Sequence, residues 1–125
     1  MDEEIENIAR ECIGAAIEVH RELGPGLLES AYEHCLHYEL ARRGIESRRQ
    51  VAQPISHKEL SLDEGYRIDL LVSETLLVEL KAVDQITPIH QAQLMTYLKL
   101  HNSRLGLLIN FNSRLLKDGI RRVIL

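Results

Sequence analysis

Apolar residues recur at Ile5, Ile8, Cys12, Ala16, Val19 and Leu23, a spacing of three to four that lines one side of a helix. Gly24-Pro25-Gly26 ends that helix, because glycine permits a left-handed exit and proline cannot continue the hydrogen-bond ladder. A second helix is expected from about Leu27 to Arg43, with Leu28, Ala31, Tyr32, Cys35 and Leu36 turned inward and Gly44 closing it. The short link makes the two helices packing neighbours. Beyond Gly44 the period changes. Ile45 to Gln53 alternates weakly and is rich in arginine, as in an edge or half-exposed strand. Pro54 to Leu62 reads as a strand running into a turn at Asp63-Glu64-Gly65. Tyr66 to Val72 and Leu76 to Val83 are the clearest strands, joined by Ser73-Glu74-Thr75 as a hairpin. Thr87-Pro88 opens a third helix, with Thr at the N-cap and Pro in the first turn, running to about His101. Leu105 to Phe111 is almost continuously apolar, the mark of a strand buried on both faces, and Ile120 to Leu125 supplies a closing strand. Helix, helix, strands, helix, strands is the order of an α/β fold with a mixed sheet.

The chain has 125 residues, of which 45% are hydrophobic and 27% charged. That length fits one domain spanning residues 1–125, and the apolar fraction excludes a disordered chain. No apolar run approaches the roughly 20 residues that cross a bilayer, so no membrane partner is expected. Met1-Asp2-Glu3-Glu4 is acidic where a signal or transit peptide is basic. Two cysteines, Cys12 and Cys35, fall in helical apolar patterns and read as reduced residues of a cytoplasmic protein. A net charge of −4 and a pI near 5.8 argue against a protein whose main work is coating nucleic acid. They leave room for an enzyme that meets nucleic acid through one local basic patch.

Charge stands out in the central hairpin. Folding it about Glu74 sets Asp69 opposite Glu79 and Arg67 opposite Lys81. Alternation then puts Arg67, Asp69, Glu79 and Lys81 on one face, with Ile68, Leu70, Val72, Val78 and Leu80 on the other. Leu71 and Leu77 share the charged face, so it is not plain solvent surface. Two carboxylates side by side and partly buried cost several kcal/mol unless their charge is offset. A divalent cation offsets it: Mg²⁺ takes one or two carboxylates together with water and phosphate oxygens. The competing account makes Arg67–Asp69 and Glu79–Lys81 ordinary cross-strand ion pairs.

Arg67-Ile68-Asp69 followed across a turn by Val78-Glu79-Leu80-Lys81 resembles the site of the PD-(D/E)XK nuclease superfamily, with Ile68 where that pattern carries proline. Gly26-Leu27-Leu28-Glu29-Ser30-Ala31-Tyr32 matches the defining motif of the GxxExxY family, a group within that superfamily. Leu23-Gly24-Pro25-Gly26, Gln93-Leu94-Met95-Thr96-Tyr97-Leu98 and Leu107-Leu108-Ile109-Asn110-Phe111 are similar to the same family, so the resemblance runs from about Ile13 to Val123. It implies a restriction-endonuclease-like core: two N-terminal helices, a central mixed sheet with a hairpin, and one further helix. It also implies metal-dependent hydrolysis of DNA or RNA.

On that resemblance Asp69 and Glu79 hold Mg²⁺ or Mn²⁺, joined by Glu29 and the Leu80 carbonyl, and Lys81 positions the attacking water or stabilises developing charge. Gln93 and Tyr97, four residues apart on the third helix, stand beside the site. Taken alone, Glu29 also reads as a helix N-terminal charge worth about 0.3–1 kcal/mol, and Gln93 and Tyr97 as a surface polar residue and a half-buried tyrosine. Arg42, Arg43, Arg48 and Arg49, with Arg121 and Arg122, are candidates for phosphate contacts, against the plainer reading of solubility. His34, Cys35 and His37 lack a second ligand pair with zinc spacing. A homodimer is expected, joined through the apolar stripe Ile5, Ile8, Cys12 and Ala16 or through the closing strand. The alternatives to a nuclease are a catalytically silent binding or regulatory module and a small-molecule phosphodiesterase.

Overall fold

Asp2 caps the first helix, its carboxylate accepting the Glu4 N–H at 2.9 Å, and Glu3, Glu4 and Glu6 sit at the positive end of the helix dipole. The computed structural model describes residues 2–125. Helix α1 spans Glu3–Leu23 and helix α2 spans Glu29–Arg42. The link between them needs its glycines, since Gly24 and Gly26 have φ of 69° and 105°. Tyr32 of α2 braces this link. Its hydroxyl donates to the Gly24 carbonyl at 2.6 Å and accepts the Leu27 N–H at 3.0 Å. The Tyr32 ring, fully buried, stacks on Phe111 at 4.4 Å.

Five strands, β1 (Ser47–His57), β2 (Leu60–Val72), β3 (Leu76–Lys81), β4 (Leu105–Asn110) and β5 (Ile120–Ile124), form one sheet in sequence order. Helix α3 (Pro88–His101) crosses from β3 to β4, which pair parallel, while the other neighbours pair antiparallel. Helices α1 and α2 cover one face, packing Ala9, Cys12, Ala16 and Leu36 against Leu70, Val78, Leu80 and Leu107. Helix α3 covers the other, packing Leu94 and Leu98 against Leu71, Leu77 and Leu108. Strands β3 and β4 are therefore apolar on both sides, and the α/β arrangement is the expected one. The α3 start falls at Thr87-Pro88, with the His90 ring nitrogen accepting the Thr87 N–H at 3.1 Å.

Four details differ from expectation. The reversal between β1 and β2 lies at Lys58-Glu59, with Lys58 at φ 53°, and β2 continues past Asp63-Glu64-Gly65, which form an irregularity of the ladder opposite Pro54, between the pairs Gln53↔Tyr66 and Ile55↔Leu62. Gly65 is there because the Ile55 side chain lies where its Cβ would stand, not to make a turn. Alternation also breaks at Asp69: Ile68 packs under α3, whereas Leu70 packs under α1 and α2. The stripe of α1 offered to a second copy is used internally, with Ile5, Cys12 and Ala16 buried in the core. Finally, a short 3₁₀ helix at Leu116–Gly119 precedes β5. Both cysteines are free, and burial pushes the Cys12 thiol up to about 12. Among the described residues no helix is long and apolar enough to cross a membrane.

The Tyr32 brace makes a prediction. Tyr32→Phe keeps the ring stack but strands the Leu27 N–H and the Gly24 carbonyl, so denaturant unfolding should report a loss of about 1–3 kcal/mol.

Candidate active site

Strands β2 and β3 pair from Val72↔Leu76 to Leu70↔Val78 and then part. In the fork, the Asp69 carboxylate accepts the Leu80 N–H at 2.9 Å, and the Asp69 N–H donates to Glu79 Oε1 at 3.4 Å. The register expected from a turn centred on Glu74 thus brings Asp69 and Glu79 together. Glu79 is only 7% exposed. Burial first, and the Asp69 charge second, push its carboxyl up to about 9. The ion pairs that would have made this an ordinary charged hairpin are absent among the described residues. Arg67 pairs instead with Glu64 at 2.6 Å and donates to the Gln50 carbonyl, and Lys81, half-buried, joins no salt bridge.

Opposite Asp69 on β1, Gln50 adopts φ 53°. Its amide donates to Asp69 Oδ1 at 3.4 Å and to Glu33 Oε1 at 2.7 Å. Glu33 is 5% exposed and also accepts Arg49 at 2.7 Å. Glu29, expected beside the pair, is exposed in the first turn of α2 with no side-chain hydrogen bond. The acid of this helix that is linked to the fork is Glu33, one turn further on. Its signal in the sequence was weak, a second acid at the same helical phase as Glu29.

Lys81 is held from below. It stands level with Asn110 in the parallel ladder, and its carbonyl accepts the Phe111 N–H at 2.9 Å. Asn110, 4% exposed, accepts the Val83 N–H at 3.1 Å and donates to the Val83 carbonyl at 2.9 Å. A single amide thereby fixes the chain leaving Lys81. The clue was available, since Asn110 is a polar residue inside an apolar run.

On the α3 side, Tyr97 stacks on Tyr66 at 3.8 Å and 11°. Burial and the negative charge of Glu79 raise both phenols, so they remain O–H donors at neutral pH. Tyr66 was not foreseen. Gln93, one turn before Tyr97, is exposed and unbonded. The candidate phosphate-gripping arginines are engaged within the protein: Arg42 with Glu39, Arg43 with Glu11 and Glu39, Arg48 with Glu74, Arg49 with Glu33 and Arg122 with Glu6. Arg121 bonds to backbone carbonyls of Asp118 and Ile120.

The donor set suits a hard divalent cation. Two carboxyl groups lie together, one of them desolvated so that burial disfavours its charged form until a cation offsets it, and such ions accept carboxylate, water and phosphate oxygens. No group of three His, Cys, Asp or Glu side chains gathers among the described residues, so the remaining ligands fall to backbone, water and substrate.

A mixed sheet with two helices on one face, a crossover helix on the other and an acidic fork with an adjacent lysine defines a nuclease-type α/β domain. The chain belongs to the PD-(D/E)XK nuclease superfamily, whose family model matches residues 6–123. Neither the curated proteins nor the solved structures contain a match to it.

Because Glu79 titrates higher in the folded chain than at its ordinary value of 4.5, the folded state binds the extra proton. Its contribution is whole below pH 4.5 and is lost as pH rises toward about 9. Melts in EDTA should show Tm descending over that window, and Glu79→Gln should flatten the descent.

Proposed function

We propose that the protein hydrolyses phosphodiester bonds of nucleic acid, DNA or RNA, using Mg²⁺ or Mn²⁺ at the Asp69–Glu79 fork. The observation that carries this reading is a buried glutamate set against an aspartate with no cationic side chain paired to either, in a chain of the nuclease superfamily. Asp69, Glu79 and the Leu80 carbonyl would hold the ion, which supplies a water of lowered pKa and positive charge for the developing phosphorane. Lys81, unpaired and anchored through Asn110, orients the water or the non-bridging oxygen. Tyr97 donates a hydrogen bond toward the substrate, with Gln93 at the mouth. Gln50, held by Glu33, keeps Asp69 turned to the fork.

Membership of the GxxExxY group is supported by two of the motif's three positions having visible work, Gly26 at positive φ and Tyr32 as the link's brace. A second reading, a silent binding or regulatory module, is favoured by one feature. The candidate arginines Arg42, Arg43, Arg48 and Arg49 are each paired with an acid of the same chain.

Mn²⁺ should raise the Tm of the wild type, since it binds the folded state, and Asp69→Asn or Glu79→Gln should abolish the rise. Lys81→Ala should keep the rise yet lower cleavage of labelled single-stranded, duplex and branched substrates by about 10²–10³-fold. A normal metal response with no cleavage of any substrate by the wild type selects the silent module.

The helix acids separate by calorimetry. Glu33→Gln should weaken Mn²⁺ binding through the loosened Gln50 and leave Arg49 without its counter-charge, lowering stability. Glu29→Gln should match the wild type in both. The reverse order returns Glu29 to the metal site.

A further inference from the structure

The connection from β4 to β5 leaves the sheet level with Lys81 and is fixed in shape. Its Ser113 hydroxyl donates to the Asn110 carbonyl at 2.9 Å. Its Ser113 carbonyl accepts from His20 Nε2 at 2.7 Å, and since a carbonyl only accepts, His20 carries its proton on Nε2. Gly119 packs so closely on Ser113 and the Asn110 carbonyl that any Cβ would collide. Between this connection and the last turns of α1 lies a cleft of about 340 Å³, walled by Ile17, His20, Arg21, Arg114, Leu115 and Lys117.

No acid lines this cleft. Arg114 and Lys117 are exposed and, among the described residues, make neither an ion pair nor a side-chain hydrogen bond. Arg21 meets Glu18 at 3.3 Å in an exposed pair at the rim, which contributes little in water. In a chain of net charge −4, this cleft brings two unpaired cations together on a wall that carries no acid. The connection that carries Arg114 and Lys117 starts from Asn110, level with Lys81 in the ladder.

We propose that this cleft contacts the phosphate backbone of a nucleic-acid strand engaged at the Asp69–Glu79 fork. The proposal rests on the nuclease reading and supplies it with two cations, Arg114 and Lys117, that have no acidic partner, whereas Arg42, Arg43, Arg48 and Arg49 each have one. The cations come from two separate segments of the chain, Arg21 from α1 and Arg114 and Lys117 from the β4–β5 connection, and cations spread over two elements can meet successive phosphates along a strand. A single free phosphate calls for donors converging on one point. Ile17 and Leu115 add apolar surface for sugars.

The test is fluorescence anisotropy of a labelled single-stranded oligonucleotide, in EDTA so that nothing is cleaved, across a salt series. Arg114→Ala with Lys117→Ala should weaken binding about tenfold at low salt. It should also flatten the slope of log Kd against log salt by about 1.4, two contacts at about 0.7 each. Lys99→Ala, an exposed cation on α3, should change neither. Affinity and slope unchanged in the double variant overturn the proposal, as does an equal loss in Lys99→Ala, which would mean unspecific attraction. Inorganic phosphate that raises Tm through Arg114 and Lys117, with no oligonucleotide bound, overturns the strand in favour of a small anion. The Mn²⁺ response of Tm, read on the same double variant, keeps the two questions apart. Retained, it leaves the metal site standing whatever the cleft does; missing from the wild type as well, it removes the nuclease reading itself.

Discussion

A side-chain carboxylate takes the place of a main-chain carbonyl where β2 and β3 separate: Asp69 accepts the Leu80 N–H, and the ladder ends one pair earlier. This substitution lets two strands part inside a packed domain without orphaning a buried donor. The fork it opens is where Glu79 comes to lie, on a strand that is apolar and buried from Leu76 to Val78. The left-handed Gln50, the buried Glu33 and its Arg49 partner are arranged around that carboxylate. Without it, β3 would continue alongside β2 and no acidic recess would exist.

The arrangement is costly by itself. A buried carboxylate beside another destabilises the folded chain, and the surrounding core offsets this. Leu70, Val78, Leu80 and Leu107 are closed over by α1 and α2 on one side, and Leu71, Leu77 and Leu108 by α3 on the other. The fully buried residues of β3 and β4 form the rigid middle of the sheet, and the charged pair sits toward the carboxyl end of β3, the pattern expected when a rigid scaffold presents a charged site.

Much of this was legible in the sequence because it is local. Helix faces follow from residue spacing, and the β2–β3 register follows from a turn centred on Glu74, so the Asp69–Glu79 meeting could be worked out. What escaped depends on distant parts of the chain. Arg49 and Arg122 read as free cations until the fold brings Glu33 and Glu6 to them. Gly65 signalled a turn, yet it answers to the bulk of Ile55 across the ladder. Glu29 and Glu33 share a helical phase, but only Glu33, one turn in, reaches Gln50 and Arg49 of β1, while Glu29 in the first turn stays exposed. Ile68 kept its apolar character but changed sides, because alternation fails where Asp69 turns into the fork.

The long β1–β2 ribbon bears on behaviour at high concentration. β1 is an open edge of the sheet, and open edges recruit strands from other molecules. This one is a poor template. Pro54 lacks an N–H, the register slips between Gln53 and Ile55, Gln50 bends the backbone to positive φ, and Arg48 and Arg49 place charge near its start. The left-handed residue and the arginine that shape the acidic recess therefore also guard the edge against intermolecular strand addition. Straightening β1 to improve its packing would trade solubility along with the site.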